Sequence, residues 1–202
     1  MKTRIIFSTL ILLTGYSQFG QWTSMNNVPS SVEGVIYAHS PDTVIAPSTD
    51  GNFYFSSDGA ASFTSDSVPF LYSWFLDIHF PTKMVGYACG GTAFGQHQSP
   101  IAKTIDGGKT WDSLSSNQFG YQLNTLYFAD ARTGYFGGNG ILVKTTDGGQ
   151  TFTVDTVFPI VNVEQIEFTS PGTGYLFSRG EVHKSTDGGS SWNAVFQDTA
   201  SQ

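Results

Sequence analysis

Short apolar runs separated by polar turns make up most of this chain. After residue 20, runs rich in Val, Ile, Phe, Tyr and Trp are bounded by clusters of Gly, Ser, Asp and Asn. The spacing of apolar positions that an amphipathic helix requires is hard to find there. Aromatic residues reach 15% and glycines number 23, whereas charged residues make up only 12%, which suits short strands joined by tight turns. The pattern therefore predicts an all-β protein.

One motif recurs four times along the chain. Three copies align residue by residue and start at Lys103, Lys144 and Lys184, with the sequences KTIDGGKTW, KTTDGGQTF and KSTDGGSSW. A weaker fourth copy, FSSDGAASF, starts at Phe55. The central aspartates Asp58, Asp106, Asp147 and Asp187 are spaced by 48, 41 and 40 residues. A period of about 40 residues is typical of the four-stranded blade of a β-propeller.

The surroundings of the motif repeat as well. A Gly-Tyr pair opens an apolar stretch before each strong copy, at Gly86, Gly134 and Gly174, and a strand ending in phenylalanine precedes that pair. Each repeat thus contains four short strands with turns between them. We predict a β-propeller of about four blades, either a small ring or a partial one, each blade a four-stranded antiparallel sheet. The predicted blades are residues 32–66, 72–115, 122–155 and 162–196.

The motif has a physical explanation as a turn. Asp-Gly-Gly suits a tight hairpin because glycine adopts positive φ without steric cost, and the aspartate can accept backbone hydrogen bonds across the turn. The aromatic residue that ends the motif can then pack against the hairpin. We therefore predict structural rather than catalytic roles for the motif residues Asp58, Gly59, Phe63, Asp106, Gly107, Gly108, Trp111, Asp147, Gly148, Gly149, Phe152, Asp187, Gly188, Gly189 and Trp192.

The motif resembles the Asp-box, or BNR repeat, of sialidases, sortilin-type receptors, xyloglucanases and a family of photosystem II assembly factors. The likeness to the last family is closest, since Gly-Tyr, an apolar strand and the box follow one another in both. That family consists of seven-bladed propellers, and the resemblance covers roughly residues 32 to 196. It implies a propeller frame, whereas the box itself occurs in proteins of unrelated function.

The N-terminus predicts export. Basic residues Lys2 and Arg4 precede the apolar run from Ile5 to Leu13, followed by small residues, as in a cleavable signal peptide over residues 1–20. This run is too short to span a bilayer, and we predict a secreted or periplasmic domain over residues 21–202 that is not an integral membrane protein. Without Lys2 and Arg4 it keeps 7 basic and 16 acidic residues, an excess of acid that argues against nucleic acid as a partner.

The two ends of the predicted domain do not match simply. The segment beginning at Trp22 resembles the strand after each box, yet the last repeat already has its own strand after Trp192. Either four blades close a small ring with the Trp22 segment as an extra edge, or the chain forms a partial propeller, which we favour. A partial propeller would leave open edges, and these predict possible self-association.

Ligands of propellers tend to meet the loops opposite the box hairpins, and three of these loops draw attention. The longest, Gly91–Pro100, carries Phe94 and His97, which are candidate binding residues unless the insertion is merely tolerated. Tyr72 and Trp74 could stack on a sugar or a protein, with core packing as the alternative. Arg179, in the loop Ser178–Gly180, is a further candidate binding residue.

Catalytic and metal chemistry find little support in the sequence. A sialidase-like site would need three arginines, but only Arg132 and Arg179 remain beyond the predicted signal peptide. No convincing carboxylate pair stands out for a glycosidase, and the four histidines are not paired at metal-ligand spacing. Cys89 lies in an apolar run and is predicted to be a buried thiol. We expect neither metal nor cofactor.

These observations favour a secreted, non-catalytic propeller that binds or scaffolds a protein or a surface glycan. The alternative is a carbohydrate-active glycoside hydrolase of the Asp-box propeller type. Photosystem assembly is a third possibility, which rests on the family resemblance alone.

Overall fold

The fold consists of four small β-sheets that follow one another along the chain. The computed structural model describes residues 31–32, 35–68, 73–92, 99–115, 119–155 and 162–197. None of the residues in these ranges is helical, and their sixteen strands form four antiparallel sheets of four. This confirms the predicted all-β propeller architecture of four-stranded blades.

Each blade contains four strands that are adjacent both in sequence and in the sheet. Blade 1 contains β1 (Tyr37–Ala38), β2 (Val44–Pro47), β3 (Asn52–Ser56) and β4 (Thr64–Ser67). Blade 2 contains β5 (Ser73–His79), β6 (Gly86–Thr92), β7 (Ile101–Thr104) and β8 (Asp112–Ser115). Blade 3 contains β9 (Leu123–Phe128), β10 (Gly134–Gly138), β11 (Ile141–Thr145) and β12 (Thr153–Asp155). Blade 4 contains β13 (Gln165–Ser170), β14 (Thr173–Ser178), β15 (Glu181–Ser185) and β16 (Asn193–Gln197).

The glycine of each Gly-Tyr pair is explained by a phenylalanine ring that lies over it. A Cβ on Gly134 would fall less than 3.0 Å from the ring of Phe128, the last residue of the preceding strand. Gly86 and Gly174 meet Phe80 and Phe168 in the same way. Real Cβ atoms essentially never come so close to another heavy atom, so the phenylalanine ring can occupy this place only beside glycine.

Blade 1 departs from this arrangement at both positions. Val44 stands where the other blades have the glycine, and its register partner is Ala38, where they have phenylalanine. A larger residue on one strand is thus matched by a smaller one opposite, which conserves the packed volume.

The hydrophobic core lies between blades, in three clusters. The first joins blades 1 and 2 and includes Phe53, Phe75 and Trp111. The second joins blades 2 and 3, and the third joins blades 3 and 4. Among the described residues, no hydrophobic cluster contains members of both blade 1 and blade 4. Trp22, whose relation to the last blade the sequence left open, lies outside the described residues.

A tyrosine and a lysine fasten blade 2 to the box of blade 3. The hydroxyl of Tyr87 donates to the carbonyls of Ala131 and Gly148, at 2.8 and 3.3 Å. Lys103, its register neighbour, places its ammonium 2.9 Å from the same Gly148 carbonyl and 5.3 Å from the Tyr87 ring centre. We call this arrangement the Tyr–Lys clamp.

The clamp recurs one blade later. The Tyr135 hydroxyl donates to the carbonyl of Gly188 in the box of blade 4, and the Lys144 ammonium lies 3.0 Å from the same oxygen. Since a lysine donates a charge-assisted hydrogen bond there, each clamp adds a polar contact to an otherwise apolar junction.

Two polar side chains also connect the first strands of blades 2 and 3. Asp77 accepts hydrogen bonds from the Leu126 amide at 2.8 Å and from the Thr125 hydroxyl at 3.1 Å. Nδ1 of His79 lies 3.2 Å from the amide of Phe128 and accepts its hydrogen bond. Burial raises the pKa of Asp77 and lowers the pKa of His79. The two side chains thus satisfy backbone groups that no strand of their own sheet reaches.

Candidate functional site

Antiparallel order gives every blade two unlike ends. The Asp-box turns and the loops between first and second strands lie at one end, which we call the box end. The turns between second and third strands and the connections between blades lie at the other, which we call the connector end. The two ends are tied together differently, so each is described in turn.

At the box end, one aspartate organises each turn. In blade 3, Oδ1 of Asp147 accepts from the amides of Gln150 and Thr151 at 3.0 and 2.9 Å, and Oδ2 accepts from the Thr151 hydroxyl at 2.6 Å. The Thr145 hydroxyl donates to Oδ1 at 2.9 Å and accepts from the amide of Gly149. The carboxylate thus satisfies backbone donors that the tight turn leaves unpaired.

The same bonds recur at the other three boxes, around Asp58, Asp106 and Asp187. Hydrogen bonds from Ser62, Thr151 and Ser191 lower the pKa values of Asp58, Asp147 and Asp187 to about 2. Burial opposes this at Asp106, but the bonds from Thr110 and Thr104 still leave its pKa below 3.8. All four carboxylates are therefore engaged within their own turns.

The box glycines and rings have steric and packing roles. The two residues that follow each box aspartate all have positive φ. In blade 1 the second of them is Ala60, with a φ of 66°, and the others are Gly59, Gly107, Gly108, Gly148, Gly149, Gly188 and Gly189. Trp111 and Trp192 are buried, whereas Phe63 and Phe152 are half-buried. Nε1 of Trp111 donates to the Gly108 carbonyl at 3.2 Å, which ties the ring to its hairpin.

Of the candidate binding residues, Trp74 and Arg179 lie within the described part of the chain, at the connector end. Trp74 is half-buried at the start of β5, opposite Gly91. Arg179 is exposed at the tip of the β14–β15 turn with a φ of 45°, and its amide lies 3.4 Å from Oε1 of Glu164. Tyr72, Phe94 and His97 lie outside the described residues.

A row of side-chain amides connects this end of blades 2, 3 and 4. Nε2 of Gln122 donates to Oδ1 of Asn124 at 2.8 Å, and Nδ2 of Asn124 donates to Oδ1 of Asn162 at 2.6 Å. A Cβ on Gly91 would lie 2.8 Å from Cγ of Gln122, so the Gln122 side chain packs against β6 of blade 2, and the row begins there. We call Gln122, Asn124 and Asn162 the amide row.

Sequence reasoning missed the amide row. Gln122 and Asn162 lie 40 residues apart, in the connections that precede β9 and β13. A recurrent amide just before the first strand of blades 3 and 4 is the signal that could have found it. A primary amide carries both donors and acceptors, so the row can pair with a peptide backbone or with sugar hydroxyls.

Other chemistry-bearing residues have structural partners. Nε2 of His183 lies 3.0 Å from Oε2 of Glu181. Cys89 is a free, buried thiol, and burial raises its pKa well above the usual value. In the described part of the chain, no three or more His, Cys, Asp or Glu side chains come together as metal ligands would. An open cleft of about 320 Å³ lies at the box end, where it is lined by His39, Lys83, Met84 and Lys109 among others.

Two comparisons with proteins of known structure show the fold. A structure of YCF48 bound to a D1 peptide shares 24% identity, with a TM-score of 0.52, over 61% of this chain and 41% of that one. YCF48 from Cyanidioschyzon merolae shares 14% identity, with a TM-score of 0.60, over 86% and 59%. This chain thus matches about two fifths to three fifths of the length of these relatives.

Glycoside hydrolases share the fold at a similarly low sequence identity. The GH74 xyloglucanase from Xanthomonas campestris is 14% identical, with a TM-score of 0.56, over 77% of this chain and 28% of that enzyme.

None of the curated proteins compared with the chain matches it. No helix among the described residues has the length and apolar character needed to cross a membrane. The family model for the photosynthesis system II assembly factor YCF48 matches residues 62–202, and the chain therefore belongs to this family.

Proposed function

We propose that this protein is a non-catalytic module that binds an extended segment of a partner protein at its connector end. The observation that carries the proposal is the amide row, which crosses from blade 2 to blade 4 between Trp74 and Arg179. An extended peptide presents alternating N–H and C=O groups, and primary amides can pair with both. The related YCF48 that was solved with a D1 peptide supports a protein as the kind of ligand.

Arg179 and Trp74 would add specificity to backbone recognition. The exposed guanidinium of Arg179 can pair with a carboxylate of the partner, and the indole of Trp74 offers a flat apolar surface. The box carboxylates and Asp77 are engaged in backbone hydrogen bonds, which favours binding over glycoside hydrolysis. The predicted signal peptide supports action outside the cytoplasm, and N-terminal sequencing of the exported protein would test it.

Peptide binding can be measured directly with a displayed library of linear peptides. We expect Asn162→Ala and Arg179→Gly each to weaken binding of selected peptides about fivefold or more, the range of one hydrogen bond or ion pair. Arg179→Gly is a clean change because glycine suits the positive φ of this position.

Arg132→Ala is the matched control, because it removes the same charge from an exposed residue at the box end. Peptide binding that is insensitive to both connector-end variants would rule out this site. Binding of xyloglucan oligosaccharides in place of peptides would point to a glycan ligand, and turnover of xyloglucan would contradict the non-catalytic proposal.

A further inference from the structure

Blade 4 carries a third tyrosine and lysine pair of the kind that forms the Tyr–Lys clamps, but no box carbonyl of another blade lies against it among the described residues. Tyr175 and Lys184 are register partners, as are Tyr87 with Lys103 and Tyr135 with Lys144. The Lys184 ammonium lies 5.6 Å from the Tyr175 ring centre, close to the 5.3 and 5.2 Å of the other two pairs. Among the described residues, neither the Tyr175 hydroxyl nor the Lys184 ammonium has a hydrogen-bond acceptor.

The face around this clamp is apolar and open. Phe177 lies on the same side of β14 as Tyr175, and Val182 and Phe196 continue the row across β15 and β16 in register. Phe177 is 38% exposed and Phe196 is 59% exposed, whereas Leu142, at the position of Val182 in blade 3, is buried between blades. The face therefore has the composition of a blade junction, although no blade packs on it among the described residues.

Blade 1 carries the opposite half of a junction. Ile36 precedes β1 and is 66% exposed, whereas its equivalents Ile78, Leu126 and Ile166 are buried against the preceding blade. The carbonyl of Gly59 occupies the box position at which Gly148 and Gly188 accept from the clamps. Blade 1 thus offers an apolar contact and an acceptor to a preceding blade.

We propose that the blade 4 face binds the box end of blade 1 from a second copy of this chain, head to tail. The described residues of blades 1 and 4 share no hydrophobic cluster within one chain, so in the described part of the chain neither half of the junction covers the other. Tyr175 and Lys184 of one copy then donate to the Gly59 carbonyl of the other. Two such junctions close a ring of two copies, because two sets of four blades make eight, within the range of about four to eight blades at which propellers close.

At two positions of this junction, blade 1 differs from the other blades, and the two differences compensate each other in size. Ala60 adds a methyl group where Gly189 meets the ring of Tyr135. Ala38 takes the place of Phe168, whose ring stacks on Tyr135 in the junction of blades 3 and 4, so blade 1 has a much smaller side chain there. In the proposed junction, the smaller residue at position 38 thus offsets the larger residue at position 60.

The oligomeric state of the full chain tests the proposal. By light scattering after gel filtration, we expect twice the mass of a single chain, which is 21.9 kDa with residues 1–20 included. The double variant Tyr175→Phe with Lys184→Met should weaken association at least about tenfold, because it removes two donors to one carbonyl. Ile36→Glu should do the same from the blade 1 side, since it places a charge in the junction.

Ile105→Glu is the matched control, because Ile105 is also 66% exposed but lies on the box turn of blade 2. It should leave the dimer intact, and all variants should keep the far-ultraviolet circular dichroism of the parent chain. A monomeric parent chain would overturn the proposal. So would a dimer that the blade 4 variant dissociates and Ile36→Glu leaves intact, since that result indicates two blade 4 faces packed on each other.

Discussion

At the residue scale, the Asp-box shows how one carboxylate can replace missing backbone pairing. A hairpin with two consecutive left-handed residues leaves the following amides without partners in the sheet. The aspartate accepts from these amides and from a hydroxyl four residues later, and the Ser or Thr two residues before it fixes its orientation. Because all these groups donate, they favour the charged carboxylate and lower its pKa.

This arrangement predicts a loss of stability at acid pH. Asp147 has a pKa of about 2 in the folded chain against an ordinary value of 3.8, so its contribution is complete above about pH 4 and disappears as the pH falls through 2. Thermal unfolding followed by circular dichroism should therefore show a melting temperature that declines steeply between these values. Asp147→Asn should lower the melting temperature at pH 7 and flatten the decline.

The control for this titration is Asp112→Asn, which changes an exposed carboxylate just after a box. It should leave both the melting temperature and its pH dependence close to those of the parent chain. Equal slopes for Asp147→Asn and the parent chain below pH 4 would contradict the role given to the box carboxylate.

At the element scale, the blade is set by a steric pairing between its first two strands. In blades 2, 3 and 4 the first strand contains, or is directly followed by, a phenylalanine whose ring lies over a glycine of the second strand. The ring then reaches the tyrosine of the preceding blade, as Phe128 stacks on Tyr87 at 3.6 Å between centres. The glycine thus serves the junction as well as the strand.

A methyl group at this glycine should disturb the blade. We expect Gly134→Ala to lower the free energy of unfolding by about 1–3 kcal/mol, the usual cost of overpacking a core. Urea denaturation would measure it. Gly172→Ala is the matched control, because its Cβ would meet only the Thr186 carbonyl at 3.8 Å, an ordinary contact. Equal losses in the two variants would show that the ring does not require glycine.

At the scale of the whole molecule, stability resides in the junctions between blades. The three core clusters each span two successive blades, so a blade buries its apolar faces against its neighbours. The clamps and the Asp77 and His79 bonds add directional contacts at the same junctions. Because each blade contacts its neighbours in chain order, damage at one junction should weaken the whole fold.

Removing one clamp hydroxyl tests this coupling. We expect Tyr87→Phe to lower the free energy of unfolding by about 1–2 kcal/mol, since it leaves the Ala131 carbonyl without its donor while the ring contacts remain. Chemical denaturation followed by tryptophan fluorescence would measure the change. Tyr121→Phe removes the hydroxyl of a 53% exposed side chain and should have little effect. Similar losses in both variants would argue against a clamp across the junction.

The sequence by itself determined the strands, the blades and the box turns. These features depend on residues close together in the chain: turn chemistry at Asp147-Gly148-Gly149, alternating apolar positions in the strands, and a period of about 40 residues between boxes. Local conformational preference and repetition can both be read from consecutive letters. The family resemblance followed from the same motifs, and the family match confirmed it.

Only the tertiary structure decided how the blades meet and where a ligand can bind. Lys103 and Gly148 lie 45 residues apart, and Asn124 and Asn162 lie 38 residues apart. No local preference connects such residues, because their contact depends on the angle and register at which one twisted sheet packs on the next. The clamps, the Asp77 bonds and the amide row are therefore products of blade packing.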